Sequence, residues 1–324
     1  MNLVQKAVGQ GGKLAPLAIP NTFGGMNPSV FIDNEGDILV NVRVCNYILF
    51  HSENKQIFPS RWGPLAYLHP EKDQRLVTRN FLCRLNNDLE IINCAEVEML
   101  NLHEPIWEFV GLEDARVVQW NNDYYLIGVR RDTTTNGVGR MEMSRVEIDK
   151  TNWTIKETGR KRIKAPQPDL SYCEKNWVPI LDKPYHFVKW HSPVEIVSVE
   201  GDQAIQKELY FGGIKPEKDQ RGSSQVIRWG DKYISITHEV DLFKNYLGQK
   251  DGIYKHRLCV YDDELKLVGI SPEPFTFLDG QIEFCVGAAE HKGDLLVSFG
   301  FQDNAAFVLR VPNLIVNDMV AQCL

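Results

Sequence analysis

The sequence predicts an all-β protein, a five-bladed β-propeller, and three observations predict it. Five times a short apolar stretch is followed by a polar turn of two to four residues and then by a second, alternating apolar stretch. These are residues 28–43 (PSVFIDNEGDILVNVR), 115–130 (ARVVQWNNDYYLIGVR), 177–190 (WVPILDKPYHFVKW), 224–239 (SQVIRWGDKYISITHE) and 286–300 (VGAAEHKGDLLVSFG). A second hairpin follows in most units, over 80–93, 141–157, 194–208 and 257–271. No stretch of helical periodicity with caps competes with these patterns.

Each unit reads as hairpins because β-branched and aromatic residues flank turn formers such as Asn122-Asp123, Gly230-Asp231 and Gly293-Asp294. The turn residues Asp37, Asp123, Lys183, Asp231 and Asp294 are spaced by 86, 60, 48 and 63 residues, an irregular repeat of four-strand size. Radial repetition of four-stranded units protects sheet edges. It divides the chain into blades at about 26–100, 110–165, 174–210, 222–275 and 282–312, in one propeller domain over 26–324. The fifth unit has only AAFVLRV (305–311) after its first hairpin, so the N-terminal arm, 1–25, is the candidate for the missing strand that closes the ring. The stretch Asn46 to Arg79, rich in proline, histidine and charge, reads as an insertion between two hairpins of the first blade. A pair of β-sandwiches is the structural alternative.

Length alone, 324 residues, suggests two domains at about 150 residues each; the repeats replace that with five units. With 43% hydrophobic and 24% charged residues the chain is outside the disordered and fibrous classes. Thirty-six basic against 43 acidic residues, a net charge of -7, disfavours coating of nucleic acid or insertion into an anionic membrane and leaves room for local basic pockets. The seven cysteines contain no C-x-x-C pair and most lie in apolar runs, which reads as buried reduced thiols. The uncharged stretch Leu14 to Ile32 is broken by Pro16, Pro20, Pro28, Gly24 and Gly25, and the N-terminus has no basic region before an apolar core. A cytoplasmic protein is the expectation, and homo-oligomerisation is compatible with the sequence.

In a propeller the innermost strand of each blade runs along the axis, so residues at the start of that strand converge on one pocket. Those positions hold Asn27-Pro28, Glu113-Asp114, Lys175-Asn176, Ser223-Ser224 and Glu283-Phe284. Polar turn residues cap strand ends everywhere, but polar and charged side chains recurring in this slot point to a site. The ends of the hairpins' other strands add Arg43, Arg130-Arg131, His238-Glu239 and Asp303. Arg43, Lys175 and His238 together would suit a phosphate group.

The segment Gly111-Leu112-Glu113-Asp114-Ala115-Arg116-Val117, followed by Tyr124-Tyr125, resembles the G-x-E-D-P-R-[IV] signature of glycoside hydrolase family 130, the inverting β-mannoside phosphorylases, and of the related glycosyltransferase family 108. Asn27-Pro28 with Arg43, Lys175, Thr237-His238 and Ser298-Phe299-Gly300 with Asp303 follow in the family's order, over residues 26 to 308. The departures are Ala115 for the usual proline, Phe299 for a tyrosine, and Glu174-Lys175-Asn176-Trp177 around the lysine, which mark a divergent branch.

The resemblance implies inverting transfer of a mannosyl-like unit between a sugar phosphate or nucleotide-sugar and an acceptor sugar. Asp114 would be the general acid, acting directly or through a sugar hydroxyl, with a raised pKa maintained by Glu113 or Asp303. Phosphate held by Arg43, Lys175 and His238 would attack from the opposite face. Asn27, Glu113, Asn176, Asp303 and Glu283 would contact the sugar, and Trp177 or Trp107 would offer a stacking face. The partners are then a carbohydrate substrate and phosphate or a sugar-phosphate donor. No cofactor and no metal is expected: His186 and His191 lack an acidic ligand at metal spacing, and Gly9 to Lys13 matches no phosphate loop. A glycoside hydrolase of the same fold and a non-catalytic carbohydrate-binding propeller are the competing readings.

Overall fold

The alternating stretches pair as hairpins. The computed structural model describes residues 1–22, 25–49, 67–68, 75–166, 173–210, 214, 216–244 and 250–324. Blade 1 is formed by strands Gly25–Ile32, Ile38–Cys45, Leu76–Leu85 and Ile91–Glu98, in antiparallel order. Blade 2 repeats the pattern with Glu113–Trp120, Asp123–Arg130, Arg140–Asp149 and Thr154–Arg162. Blade 3 uses Val178–Pro179, His186–His191, Val194–Glu200 and Gln203–Tyr210. In blade 4 the inner strand is split into Arg221–Gly222 and Ile227–Trp229, ahead of Lys232–Lys244, Lys250–Tyr261 and Leu267–Ile270. Blade 5 contains Glu283–His291, Asp294–Phe301 and Ala305–Val311, and its fourth strand is Lys13–Pro16, paired from Lys13↔Arg310 to Pro16↔Phe307. The architecture is a five-bladed propeller.

Because each blade is covered on both faces, its inner strands are buried almost continuously instead of alternating. The apolar side chains gather at the seams. Phe31, Leu39 and Leu82 of blade 1 meet Leu112, Val117 and Leu126 of blade 2, and Trp120 and Ile127 meet Trp177 and Phe187 across the next seam. Val188 and Ile196 meet Tyr233 and Tyr261, Ile234 and Val260 meet Val297 and Phe299, and Leu296 and Val308 meet Val30 and Val40. A polar clasp adds to the first seam: the Lys150 ammonium donates to Asp33 at 2.6 Å, Glu35 at 2.8 Å and Asp37 at 2.8 Å.

Two helices are absent from the sequence reading. Leu3–Val8 is capped by the Asn2 side chain, which accepts the Gln5 N–H at 2.8 Å. Asn313–Cys323 follows Pro312 without a side-chain cap, and neither its first turn carries an acid nor its last turn a base; the sequence signals of a helix end are missing. Its buried Ile315, Val316 and Met319 cover the seam between blades 4 and 5. Most of the insertion expected between Asn46 and Arg79 lies outside the described residues, and its described end is already a strand from Leu76.

The axis is polar. Gln225, fully buried where the inner strand of blade 4 is split, donates through Nε2 toward Ser29 Oγ at 3.1 Å, the Val30 carbonyl at 3.3 Å and the Val117 carbonyl at 3.2 Å. Its Oε1 accepts the Ala288 N–H at 3.0 Å. Blades 1, 2 and 5 are thus joined to blade 4 by one carboxamide. Ser29 Oγ also accepts the Val117 N–H at 3.2 Å, and Ser298 Oγ accepts the Val30 N–H at 2.9 Å while donating to the Pro28 carbonyl at 2.6 Å. Gln225→Ala strands these buried groups, at about 1–3 kcal/mol for the first and less for each that relaxes. Urea unfolding is expected to show a loss of about 2–5 kcal/mol; a midpoint unchanged from the native protein would contradict the axial role.

Candidate active site

The inner strands are irregular at one recurrent place. In blade 2 Glu113 pairs with Val129 and Arg116 with Ile127, so Asp114 and Ala115 together face the single residue Gly128. In blade 1 Met26 pairs with Arg43 and Ser29 with Asn41, which leaves Asn27 and Pro28 opposite Val42 alone. In blade 5 Val286 is the extra residue between Cys285 and Gly287. Such bulges bend a strand and re-aim a side chain. Asn27 and Asp114 sit in them at φ +47° and +51°, a left-handed conformation that Asn and Asp tolerate better than other residues with side chains. Glycine is required where the backbone comes close to each bulge: a Cβ on Gly128, opposite Asp114, would lie 2.4 Å from the Glu113 carbonyl oxygen, and one on Gly300, in blade 5, would lie 2.2 Å from Asn27 Oδ1.

The two bulges bring Asn27 and Asp114 together. Asp114 Oδ1 accepts from Asn27 Nδ2 at 2.8 Å and from Arg43 Nη1 at 2.8 Å. Arg43 is held in turn by Thr78 Oγ1 at 3.2 Å and the Tyr47 hydroxyl at 2.6 Å, and Glu113 lies 3.8 Å away. Glu113 is also 3.8 Å from Arg131. Burial pushes the Asp114 carboxyl up, but the Arg43 charge, the hydrogen bonds from Asn27 and Arg43 and the charge of Lys175 outweigh it and bring it below the usual carboxylate range. The raised pKa expected from the sequence is therefore corrected: in the free site Asp114 is ionised, because its nearest charge is a cation.

The expected cationic trio divides. Arg43 is committed to Asp114 and is its counter-ion instead of a free phosphate ligand. His238 is buried, with Nδ1 2.8 Å from Ser223 Oγ and its ring between Tyr254 and Phe284 at 5.6 and 4.9 Å. Burial, then the neighbouring His256, Arg221, Lys175 and Arg116, push its pKa well below 6.5, so it is neutral at pH 7 and carries no charge toward an anion. Lys175 is exposed at the head of blade 3, close enough to influence both Asp114 and His238, and among the described residues it has no ion-pair partner.

Other expected contacts are also reassigned. Glu283 accepts the N–H groups of Phe277, Leu278 and Gly280 at 2.6, 2.7 and 2.8 Å, so its carboxylate builds the 277–280 turn and is not available to a sugar. Trp177 is 1% exposed, donates to Glu174 at 3.0 Å and packs with Phe187, which removes it as a stacking face. Trp107 is half-buried, and a Cβ on Gly137 would lie 2.3 Å from its Nε1. Asn176, at φ +62°, lines a cavity beside Lys175. Asp303 lies half-buried in the turn after Asp294–Phe301 at φ +51°. Arg130 is tied to Glu142 and Asp132, and Glu239 to Gln220 and Arg257.

Two arginines escaped the sequence reading. Arg116, 1% exposed, donates Nε to the Ser223 carbonyl at 2.8 Å and Nη1 to the Asp114 carbonyl at 3.3 Å, and burial brings its pKa down to about 10. Its signal in the sequence is its place two residues after Asp114, in the segment Gly111 to Val117. Arg221 lies across the strand pair from His238 and lines the same cavity as Lys175; it stands two residues before Ser223, just outside the slot that recurs at the start of each inner strand.

No protein-family model and no curated protein matches the sequence. Solved structures do match. A β-1,2-mannobiose phosphorylase from Listeria innocua superposes with a TM-score of 0.56 at 13% identity, over 96% of this chain and 93% of that one. A mannose phosphorylase from Leishmania mexicana, in complex with phosphate, gives 0.52 at 12% identity over 95% and 92%. A third structure gives 0.57 at 11% over 88% and 84%; it comes from work on the GH130 family of mannoside phosphorylases, described as containing glycoside hydrolases that target β-1,2-mannosidic linkages in Candida mannan. The likeness is one of fold, and it agrees with the resemblance carried by residues 111–117.

The buried histidines make stability depend on pH. Burial holds His191 and His256 down to about 3, and His238 is also lowered. The unfolded chain takes up these protons near pH 6.5 and the folded chain does not, so stability is full above about pH 6.5 and falls below it. Each ring contributes a slope of up to about 1.4 kcal/mol per pH unit. Urea midpoints between pH 7.5 and 5 are expected to fall accordingly, with a shallower slope in His256→Gln.

Proposed function

We propose that this protein is an inverting enzyme of glycosyl transfer that acts on β-mannoside-like substrates with phosphate as the second substrate. The observation that carries the reading is the axial carboxylate of Asp114, set in a strand bulge and bracketed by Asn27 and Arg43. A carboxylate so placed exchanges a proton with the glycosidic oxygen. In the synthetic direction the ionised form accepts the proton of the acceptor hydroxyl as that oxygen attacks the anomeric carbon and phosphate leaves. In phosphorolysis the carboxyl gives a proton to the departing oxygen, while a phosphate oxygen forms the new bond from the opposite face.

Lys175 and Arg221 are the side chains assigned to the anion, because they line a cavity beside the axis and Lys175 is not neutralised by a described neighbour. Arg43 keeps Asp114 ionised between turnovers, and the neutral His238 offers a hydrogen bond in place of a charge. Asn27, Glu113, Asn176 and Asp303 remain the groups for sugar hydroxyls. The names of the Listeria innocua and Leishmania mexicana structures, both phosphorylases of mannose-containing substrates, support the substrate class.

The test is phosphate release from α-D-mannose 1-phosphate with mannose or β-1,2-mannobiose as acceptor, and the reverse reaction with inorganic phosphate. Asp114→Asn is expected to lower turnover by at least about a hundredfold, the scale of general acid–base catalysis. Activity unchanged in that variant would remove Asp114 from the reaction, and sugar release that ignores phosphate would convert the reading to a hydrolase.

A further inference from the structure

The cysteines read alike in the sequence, as buried thiols, but the structure separates one pair from the rest. Cys83 and Cys94 stand directly opposite each other on the outer two strands of blade 1, Leu76–Leu85 and Ile91–Glu98. Their sulfur atoms are 3.0 Å apart, and the Cys83 thiol donates to Cys94. The other cysteines meet oxygen or nitrogen instead. Cys45 touches the Thr78 hydroxyl and Cys259 the Thr237 hydroxyl, Cys285 and Cys323 reach the carbonyls of Gly287 and Leu258, and Cys173 accepts from the Arg131 guanidinium.

Geometry, access and chemistry all suit a bond between the pair. Opposed residues of an antiparallel ladder have Cα atoms about 4.5–5.5 Å apart, within the ~4.4–6.8 Å that a disulfide spans. The two sulfurs can therefore join without a change of strand register. Cys83 is buried in the core between blades 5 and 1, beside Val40, Leu296 and Val308, whereas Cys94 is half-buried. The thiolate is the reacting form of cysteine. The hydrogen bond from Cys83 outweighs burial at Cys94 and brings its thiol below the usual range, while the same bond and burial push Cys83 up. One thiol is thus placed to attack from outside and the other to resolve from within.

We infer that Cys83 and Cys94 form a reversible redox modification site, oxidised to a cross-strand disulfide by a low-molecular-weight disulfide such as oxidised glutathione. The Cys94 thiolate attacks one sulfur of that molecule, its S–S bond breaks, and the departing thiolate takes up a proton. Cys83 then attacks the mixed disulfide at the Cys94 sulfur, loses its own proton, and expels the second half as a thiol. Two protein thiols give up two electrons and two protons, and the small disulfide gains both. The bond closes a hairpin that also ties blade 1 to its neighbours. Val97 and Glu98 pair with Ile155 and Lys156 of blade 2, and Asn87 in the turn accepts from Lys292 and Arg310 of blade 5. The site stands apart from the axial carboxylate and does not depend on how that carboxylate is used.

Incubation of the native full chain with oxidised glutathione, followed by peptide mapping by mass spectrometry, tests it. The expected product is a protein lighter by two hydrogens in which the Cys83 and Cys94 peptides are linked, and dithiothreitol should return both thiols. The oxidised form should melt at least about 3 °C above the reduced one, since the bond restricts the unfolded chain. Cys94→Ser should give neither the linked peptide nor the rise, and Cys83→Ala should retain glutathione on Cys94 because no resolving thiol remains. Free thiols after incubation, glutathione that stays on Cys94 in the native protein, or an oxidised form that melts no higher than the reduced one would each overturn the site.

Discussion

The Gln225 carboxamide bonds to strands of blades 1, 2 and 5 at once, and the arrangement of the site follows from what it allows. Five blades packed around an axis bring polar backbone groups into a place with little water, where each unpaired group costs about 1–3 kcal/mol. Ordinary ladders cannot satisfy them, because neighbouring inner strands are not ladder partners of one another. A side chain with two donors and one strong acceptor meets three blades in one step. Ser29 and Ser298 complete the set on a smaller scale. Gln225 reaches the axis because the inner strand of blade 4 is interrupted there, so a local break in one sheet stabilises the relation among four.

The bulges in blades 1, 2 and 5 are the same solution turned to chemistry. An extra residue in the inner strand shifts a side chain out of the alternation, and at Asn27 and Asp114 it does so in a left-handed backbone that costs on the order of 1–3 kcal/mol. That cost is borne by the seams, whose packed cores fix the strands on either side. The Arg43–Asp114 pair shows the same logic in charge. Both side chains are mostly buried, 8% and 16% exposed, and a buried pair is weak as a source of stability but specific in position, since the loss of either partner leaves an uncompensated charge.

The repeat was legible because strand alternation and turn residues are local, and so was the meeting of Asn27 and Asp114, which follows from strand order in a ring. What could not be read was the state of each group. His238 looked like a cation because histidine often is one near phosphate; burial against Tyr254 and Phe284, far apart in sequence, makes it neutral. Trp177 and Glu283 occupy positions next to the site, yet their side chains turn into a seam and a backbone turn, and strand register alone does not say which way. The helix Asn313–Cys323 was invisible for a different reason: it lacks cap and end charges, and it is held by the seam beneath it.

The ionised Asp114 reorders the proposed reaction cycle. A carboxylate that rests beside an arginine is already ionised, so it can accept the proton of the acceptor hydroxyl as that oxygen attacks the anomeric carbon. The phosphorolytic direction needs the proton first. Substrate itself can supply the difference: a sugar ring seated between Asp114 and Arg43 would separate the charges that lower the pKa, and the burial that already pushes it up would then dominate. The same carboxylate would thus be a base in the open site and an acid under bound glycoside, with Arg43 as the group whose distance decides.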